Sequence, residues 1–311
     1  MDITTTITTV LSLVIVFLFA IQKFSHHIQK LAGERLKSLL HKFTDKPVKG
    51  AFSGALVTGL VQSSTATSVI LVGLVNAGVL ATYNAISVVI GANIGTTITA
   101  QLIALNMTYI APIIVIVGFI LSHTHSRFRR YGKAIFYFGI IFLTLFIISF
   151  IVTPLKDNSD LQNLLTSINS PYRAIVFGII ITTILQSSSV FTGLTLVLVS
   201  GGFIGLPVAI GFLIGSSIGS PLTAVIASTS ASFEAKKVAV SHVIFNLLGV
   251  VIFTPLINPF VKLLHLISDN EIQQVVNAHF IFNMVCAILC LVFFNYFVFI
   301  TDKATKILYK N

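Results

Sequence analysis

Gln62–Ala100 reads QSSTATSVILVGLVNAGVLATYNAISVVIGANIGTTITA, and 124 positions later Gln186–Ala224 reads QSSSVFTGLTLVLVSGGFIGLPVAIGFLIGSSIGSPLTA. The two stretches align without a gap over 39 positions with 14 identities, most of them in the polar motifs at the two ends. Such a duplication in an apolar chain is the usual mark of a transporter assembled from two related halves.

Around that stretch, Lys49 to Gly78 is apolar but broken in the middle by Gln62, Ser63, Ser64, Thr65 and Thr67. Each arm holds about 12 to 14 residues, roughly 20 Å as helix, whereas a full span needs about 20 residues. Two short arms with a polar tip predict a re-entrant hairpin, and Tyr172 to Val199 predicts a second one with Gln186 at its tip. Val79 to Leu105 is long enough to cross, but Gly91-Ala92-Asn93-Ile94-Gly95-Thr96-Thr97 sits in its middle. Phe203 to Ala227 is interrupted likewise at Gly215 to Pro221. The remaining spans fall at Ile7 to Phe24, Ile110 to Leu121, Ala134 to Val152, Val238 to Phe253 and Ala278 to Ile300.

The expected fold is therefore an all-α polytopic membrane protein with two inverted-topology repeats, at 49–153 and 172–300. Each carries a re-entrant helical hairpin and a discontinuous transmembrane helix. Residues 25–48 are basic, and Ile28, Leu31, Leu36, Leu39, Leu40 and Phe43 fall at helical spacing within them. They read as an amphipathic cytoplasmic segment on the membrane surface or a solvated connector.

Composition agrees. With 55% hydrophobic and 9% charged residues and a mean hydropathy of +0.99, the chain is too apolar for a soluble globular domain. The first apolar stretch has its lysines after it and not before, so it reads as a true span and not a cleaved signal peptide. The net charge of +10 does not point to nucleic acid, because the basic residues sit in short loops between apolar runs. With the N-terminus outside and the C-terminus cytoplasmic, 16 of the 19 Lys and Arg fall inside, and only Lys156, Arg173 and Lys262 fall outside. Three crossings then separate the hairpins, an odd number, so the halves are inverted. Localisation in the plasma membrane follows.

Cys286 and Cys290 lie four apart in an apolar span without acidic or histidine partners at ligand spacing, and read as small packing residues. His242-x-x-Phe245-Asn246 and His279-x-x-Phe282-Asn283 form a smaller echo, suited to bridging helices. Asn106-Met107-Thr108 matches a glycosylation sequon too near the membrane to weigh.

The polar motifs suggest chemistry. A helix restarting at Ser63 or Ser187 leaves its first N–H groups free at its positive end, an anion site without any basic side chain. Carbonyls freed at a broken helix, with Ser and Thr hydroxyls, suit a hard cation such as Na⁺. Gly91, Gly95, Gly211, Gly215 and Gly219 allow tight turns or close helix packing. Their bracketing of Asn93 and Thr96 in a repeated motif favours a binding role. No Asp, Glu, Lys or Arg lies inside either repeat core, which disfavours a proton pump with an intramembrane carboxylate.

These paired motifs, QSST-A-T-S, GANIGTT and QSSS, resemble the signatures of the sodium–phosphate cotransporter family, whose vertebrate type II members and bacterial relatives share duplicated QSSS motifs. The resemblance covers the chain from about Lys46 to the last span. It implies Na⁺-coupled symport of inorganic phosphate by alternating access. It also implies a bacterial member without the PhoU-like domain that some relatives append, the sequence ending at Asn311. By that resemblance Ser63, Ser64, Asn93, Ser187, Ser188 and Ser217 are expected to bind phosphate. Gln62, Thr65, Thr96, Thr97, Thr99, Gln186, Ser189, Ser220 and Thr223 are expected to bind Na⁺. In the second copy Ser217, Ser220 and Pro221 stand where the first has Asn93, Thr96 and Thr97, which puts one cation site in doubt. The partners expected are phosphate, Na⁺ and the lipid bilayer, with a homodimer as the assembly considered. Two rivals are a Na⁺-coupled carrier of sulfate or a dicarboxylate, and an anion channel. No nucleophile–base, paired-carboxylate or metal constellation appears at usable spacing, so no enzyme is expected.

Overall fold

The computed structural model describes residues 3–42, 45–105, 107–124, 128–156, 158 and 168–309, with the side chains of 3, 4, 32–42, 108 and 155 outside the description. Within these limits every regular element is helical. In chain order they are α1 (Ile3–Lys42), α2 (Pro47–Val61), α3 (Ser64–Asn76), α4 (Thr82–Ala104), α5 (Ala111–His123), α6 (Arg129–Val152) and α7 (Pro171–Leu185). There follow α8 (Ser188–Ser200), α9 (Leu206–Gly219), α10 (Leu222–Ala227), α11 (Phe233–Phe253), α12 (Ile257–Ile267), α13 (Glu271–Val292) and α14 (Phe294–Leu308). Among the described residues six stretches are long and apolar enough to cross a membrane: Thr5–Leu31, Thr82–Ala104, Arg129–Val152, Leu206–Ala227, Phe233–Phe253 and Glu271–Val292. Apolar side chains such as Phe52, Phe150 and Ile184 are more than 70% exposed, as a lipid-facing surface requires. The protein is an integral, multi-pass membrane protein.

The duplication is visible in the packing. Helix α4 lies along α2 as α9 lies along α7. A Cβ at Gly91 would lie 1.7 Å from the Ala51 carbonyl oxygen, and one at Gly95 2.4 Å from that of Ala55. At the same spacing, a Cβ at Gly215 would lie 2.1 Å from the Ile175 oxygen and one at Gly219 2.8 Å from that of Ile179. These glycines bring two backbones into contact, at a propensity cost of roughly 1 kcal/mol each.

That contact corrects the expectation of a discontinuous helix in the first repeat. Helix α4 runs unbroken through Gly91 to Thr97, because an isolated glycine keeps its N–H and forms the helical ladder when neighbouring packing favours it. Only the second copy breaks. Pro221 replaces Thr97, its ring removes a donor and crowds the preceding turn, and α9 stops at Gly219 before α10 restarts at Leu222.

Three further boundaries differ. The first span and the basic segment after it form one helix to Lys42, so the amphipathic segment is no separate element. Leu36, Leu39, Leu40 and Phe43, on which its amphipathic reading leaned, lie outside the described side chains, as do Asn106, Arg127, Asp157, Asp160 and Lys310. The last span ends at Val292, and the chain turns at Phe293 into α14. Helix α12 was not anticipated; its Ile257, Phe260 and Leu264 are buried.

The core has three parts. Phe17, Ala20 and Ile21 of α1 pack with Ile141, Phe142 and Leu145 of α6 and with Val190 of α8. Val57, Leu71 and Val88 join Val238 of α11. The largest cluster gathers α9, α11, α12, α13 and α14. The two helix breaks at Gln62 and Gln186 sit between these packed regions.

Candidate functional site

Both breaks have one backbone design. Helix α2 closes on Gln62 in the left-handed region (φ 59, ψ 27), and α7 closes on Gln186 in the same way (φ 53, ψ 24). Among the described residues these are the only non-glycine positions with positive φ. Such a residue costs on the order of 1 kcal/mol or more and persists only where its surroundings hold it. Here the Gln62 N–H donates to the Thr58 carbonyl and that of Gln186 to the Thr182 carbonyl, each at 2.7 Å. The next residue is extended and caps the following helix. Ser63 Oγ accepts from the Ala66 N–H at 3.1 Å, and Ser187 Oγ accepts from the Val190 N–H at 3.4 Å. Caps of this kind satisfy the third helical N–H and leave those of Ser64 and Thr65, and of Ser188 and Ser189, at the positive helix ends.

The two tips meet. Thr65 Oγ1 lies 3.0 Å from Ser220 Oγ and donates to the Ser220 carbonyl at 3.2 Å, while Ser188 Oγ donates to Ser220 Oγ at 3.5 Å. Ser220 stands between α9 and α10, and its carbonyl is used by the opposite copy. Between the tips lies a cavity of about 450 Å³, lined by Gln62, Ser63, Ser64, Thr65, Gln186, Ser187, Ser188, Ser189, Ser220 and Thr223 together with α1. That volume is in the usual range for a small-ligand site. Among the described residues no ionisable side chain lines it. The wall offers N–H dipoles and hydroxyl donors to an anion, and hydroxyl and carbonyl oxygens to a hard cation.

Ten of the fifteen residues expected from sequence therefore line one cavity. Thr99 is adjacent: its Oγ1 donates to Gln62 Oε1 at 2.9 Å, and the Gln62 amide donates to the Gly59 carbonyl. Together these fix the Gln62 side chain. The other four are turned to different tasks. Thr96, Thr97 and Ser217 bond back to their own helix, at Ala92, Ile94 and Leu213, a common outlet for hydroxyls inside helices. Asn93 donates to the Val89 carbonyl at 2.9 Å, and its Oδ1 accepts from His242 Nε2 at 3.1 Å. With Nε2 donating, His242 Nδ1 accepts from the Ser68 hydroxyl at 2.8 Å. This buried chain ties α3, α4 and α11, the bridging role that the His-Asn echo suggested. In the second echo Asn283 bonds back to His279, and His279 Nδ1 has no partner among the described residues.

Sequence reading missed the contribution of α1. Gln22, Ser25 and Gln29 line the cavity. Ser25 Oγ donates to the Val61 carbonyl at 2.6 Å, and Gln29 Nε2 donates to Ser25 Oγ at 2.9 Å. Their spacing of three and four places them on one helical face, a polar stripe that was readable. Among the described residues no three His, Cys, Asp or Glu gather where they could hold a metal ion.

A family model described as Na+/Pi-cotransporter matches residues 16–149 and 156–285. The chain is 32% identical over 288 residues to "Uncharacterized protein YqeW" of Bacillus subtilis, covering 92% of this chain and 94% of that protein. It is 28% identical over 269 residues to "Putative inorganic phosphate export protein YjbB" of Escherichia coli, covering 86% of this chain and half of that protein. It is 41% identical over 76 residues to rat "Sodium-dependent phosphate transport protein 2A", covering 24% of this chain and 12% of that protein. No solved structure matches the chain. Matched across both halves by a model of transport proteins and not of enzymes, the chain belongs to the Na+/Pi-cotransporter family.

Proposed function

We propose that this protein is a secondary transporter that carries inorganic phosphate together with Na⁺ across the plasma membrane by alternating access. The observation that carries the reading is the convergence of two matching helix ends, Ser63–Thr65 and Ser187–Ser189, on one cavity whose described lining holds no charged side chain. In this reading the pairs α2–α3 and α7–α8 are re-entrant hairpins of two inverted repeats, with the N-terminus outside and the C-terminus cytoplasmic. Family membership supports phosphate as the substrate, and the rat relative's name supports Na⁺ as the companion ion.

Coupling follows from electrostatics. A phosphate anion entering this cavity exchanges water for N–H dipoles and hydroxyls, and a bare anion in a low-dielectric passage is costly. Na⁺, held by oxygens such as Thr65 Oγ1, Ser220 Oγ and the Ser220 carbonyl, supplies the counter-charge that no side chain provides. The empty or fully loaded site then crosses more readily than the half-loaded one. The four residues turned away from the cavity, Asn93, Thr96, Thr97 and Ser217, are assigned to the scaffold, and Thr99 to orienting Gln62.

A second reading, export, is favoured by the printed name of the E. coli relative. It uses the same site and differs in which gradient does the driving. Purified protein in liposomes decides between them. Labelled phosphate should accumulate against its gradient when Na⁺ is imposed on one side, and Ser64→Ala or Ser188→Ala should lower the flux at least about tenfold at normal incorporation. That loss matches the roughly 1.5–3 kcal/mol of a hydroxyl bonded to a charged ligand. Flux indifferent to Na⁺ and never concentrative would make it a channel. Unlabelled sulfate or a dicarboxylate competing better than phosphate would change the substrate.

A further inference from the structure

A second cavity, also about 450 Å³, lies between α1 and the start of α6 and is lined by His27, Lys30, Leu31, Arg129, Arg130 and Lys133. It is the opposite of the first in chemistry. Four cationic side chains converge there, with no acidic one among the lining residues. Glu34, four positions beyond Lys30, has its side chain outside those described. Like charges held close raise one another's energy, and a bound anion relieves this.

Three other features agree. Helix α6 begins at Arg129, its cap Phe128 offers no side-chain acceptor, and no acidic residue occupies the first turn, so the positive helix end adds its partial charge at the same place. The His27 ring is held against Tyr137, with 5.5 Å between centroids and 13° between planes, so the cleft has an ordered wall. Its flanks are apolar and aromatic: Phe128 and Tyr131 are 61% and 52% exposed, a composition suited to the membrane interface. Helix α1 separates the two cavities, turning Gln22, Ser25 and Gln29 to the central one and His27 and Lys30 to this one.

We propose that this cleft binds a phosphate-bearing anion, and its apolar flanks favour the head group of an anionic phospholipid over free phosphate. A lipid seated there would hold α1 against α6 from the side away from the transport cavity. The site is independent of the transported ion, so failure of Na⁺-driven phosphate flux would leave this expectation standing.

The test uses the full chain in nanodiscs of mixed phosphatidylglycerol and phosphatidylcholine, released into native mass spectrometry. Wild type should retain phosphatidylglycerol with at least about tenfold preference, and R129Q/R130Q/K133Q should lose that preference, each basic group near a membrane contributing on the order of fivefold. Ser188→Ala, in the central cavity, should keep it. If the triple variant does not fold, Lys30→Gln and the charge-keeping K133R give the same contrast, the first weakened and the second not. Equal retention of both lipids by wild type, or an unchanged preference in a folded neutralised variant, overturns the site. Displacement of phosphatidylglycerol by millimolar inorganic phosphate in the wild type, absent in the triple variant, overturns the lipid as ligand and leaves the free anion in its place.

Discussion

The first copy of the repeat is tied into its surroundings, and the second is left open. Across the first tip Thr58 Oγ1 donates to Thr67 Oγ1 at 2.9 Å. In the second copy Phe191 replaces Thr67, and the Thr182 hydroxyl is buried without a partner among the described residues. Gln62 is 6% exposed and bonded at both ends of its amide, whereas Gln186 is exposed and its side chain bonds nothing among the described residues. Ser68 anchors to His242, but its counterpart Thr192 has no partner among the described residues. Thr99 is occupied with Gln62, and its counterpart Thr223 faces the cavity. Duplication thus preserved the backbone device, a left-handed glutamine followed by a serine cap, while the side chains around it diverged. The comparison predicts a fixed seat on one side of the ligand and an adjustable one on the other.

The largest effects should fall where the copies are alike. Gly91→Ala and Gly215→Ala each push a Cβ into a backbone carbonyl of the paired helix, at 1.7 and 2.1 Å. Both should lose about 1–3 kcal/mol or fail to fold, as overpacked cores do. Yield of monodisperse protein and melting temperature in detergent would register this. A tolerated Gly91→Ala beside a ruinous Gly215→Ala would show that the two helix pairs are not packed alike after all.

Next comes the break that only one copy has. Pro221→Thr restores the residue of the first copy and returns a backbone donor to α9. The helix should extend through Ser220, withdrawing its carbonyl from Thr65. Melting temperature should rise while phosphate flux falls at least about tenfold, since one lost bond to a charged group is worth roughly 1.5–3 kcal/mol. Unchanged flux in a protein shown to be folded would mean that the Ser220 carbonyl is not part of the working site.

These asymmetries explain what was legible in the sequence. The two tips could be read because a polar QSS run in apolar arms too short to cross leaves few alternatives. The residues at the tips accordingly line the cavity. Gly91 to Thr97 misled because glycines around Asn93 suit both a broken helix and a close helix contact. Only the neighbour across the interface, Ala51 and Ala55 of α2, decides between them. Asn93 likewise has two uses for one amide, and its partner His242 lies 149 positions away, beyond the reach of any local pattern. The break at Ser220 was readable because proline acts through its own chemistry. The polar face of α1 was readable too, as Gln22, Ser25 and Gln29 at helical spacing.

A smaller contrast isolates the tie across the tip. Thr58→Val removes the donor to Thr67 and should cost about 1 kcal/mol, the usual net value of a hydrogen bond. Thr182→Val removes a hydroxyl that already lacks a partner, so it should be neutral or stabilising. Hydrogen exchange at Ser188 to Val190 should exceed that at Ser64 to Ala66 in wild type, and Thr58→Val should narrow the gap. Equal costs for the two valines would undo the distinction between fixed and open seats.

The smallest effect concerns the start of α4, where the first copy is fastened to α11. Thr82 Oγ1 donates to Glu234 at 2.7 Å, and the matching position in the second copy is Leu206, which has no hydroxyl. Glu234 pairs with Lys237 at 2.7 Å, and Lys237 pairs in turn with Asp302 at 2.7 Å, beside Lys306 at 2.6 Å. The hydrogen bond from Lys237, then that from Lys306, holds the Asp302 carboxyl below its ordinary value. A carboxylate depressed in the folded state contributes stability that is fully present above its unfolded pKa, about 3.9, and is lost as pH falls through the lower folded value. Surface pairs are worth about 0–1 kcal/mol and are screened by salt, so Asp302→Asn should lower the melting temperature only slightly at pH 7. The deficit should hold to about pH 5, shrink below about 4, and shrink also at 1 M salt. A deficit equal at pH 7 and below pH 3 would mean that Asp302 acts by packing and not by charge, and that the fastening of α4 to α11 does not rest on its ion pairs.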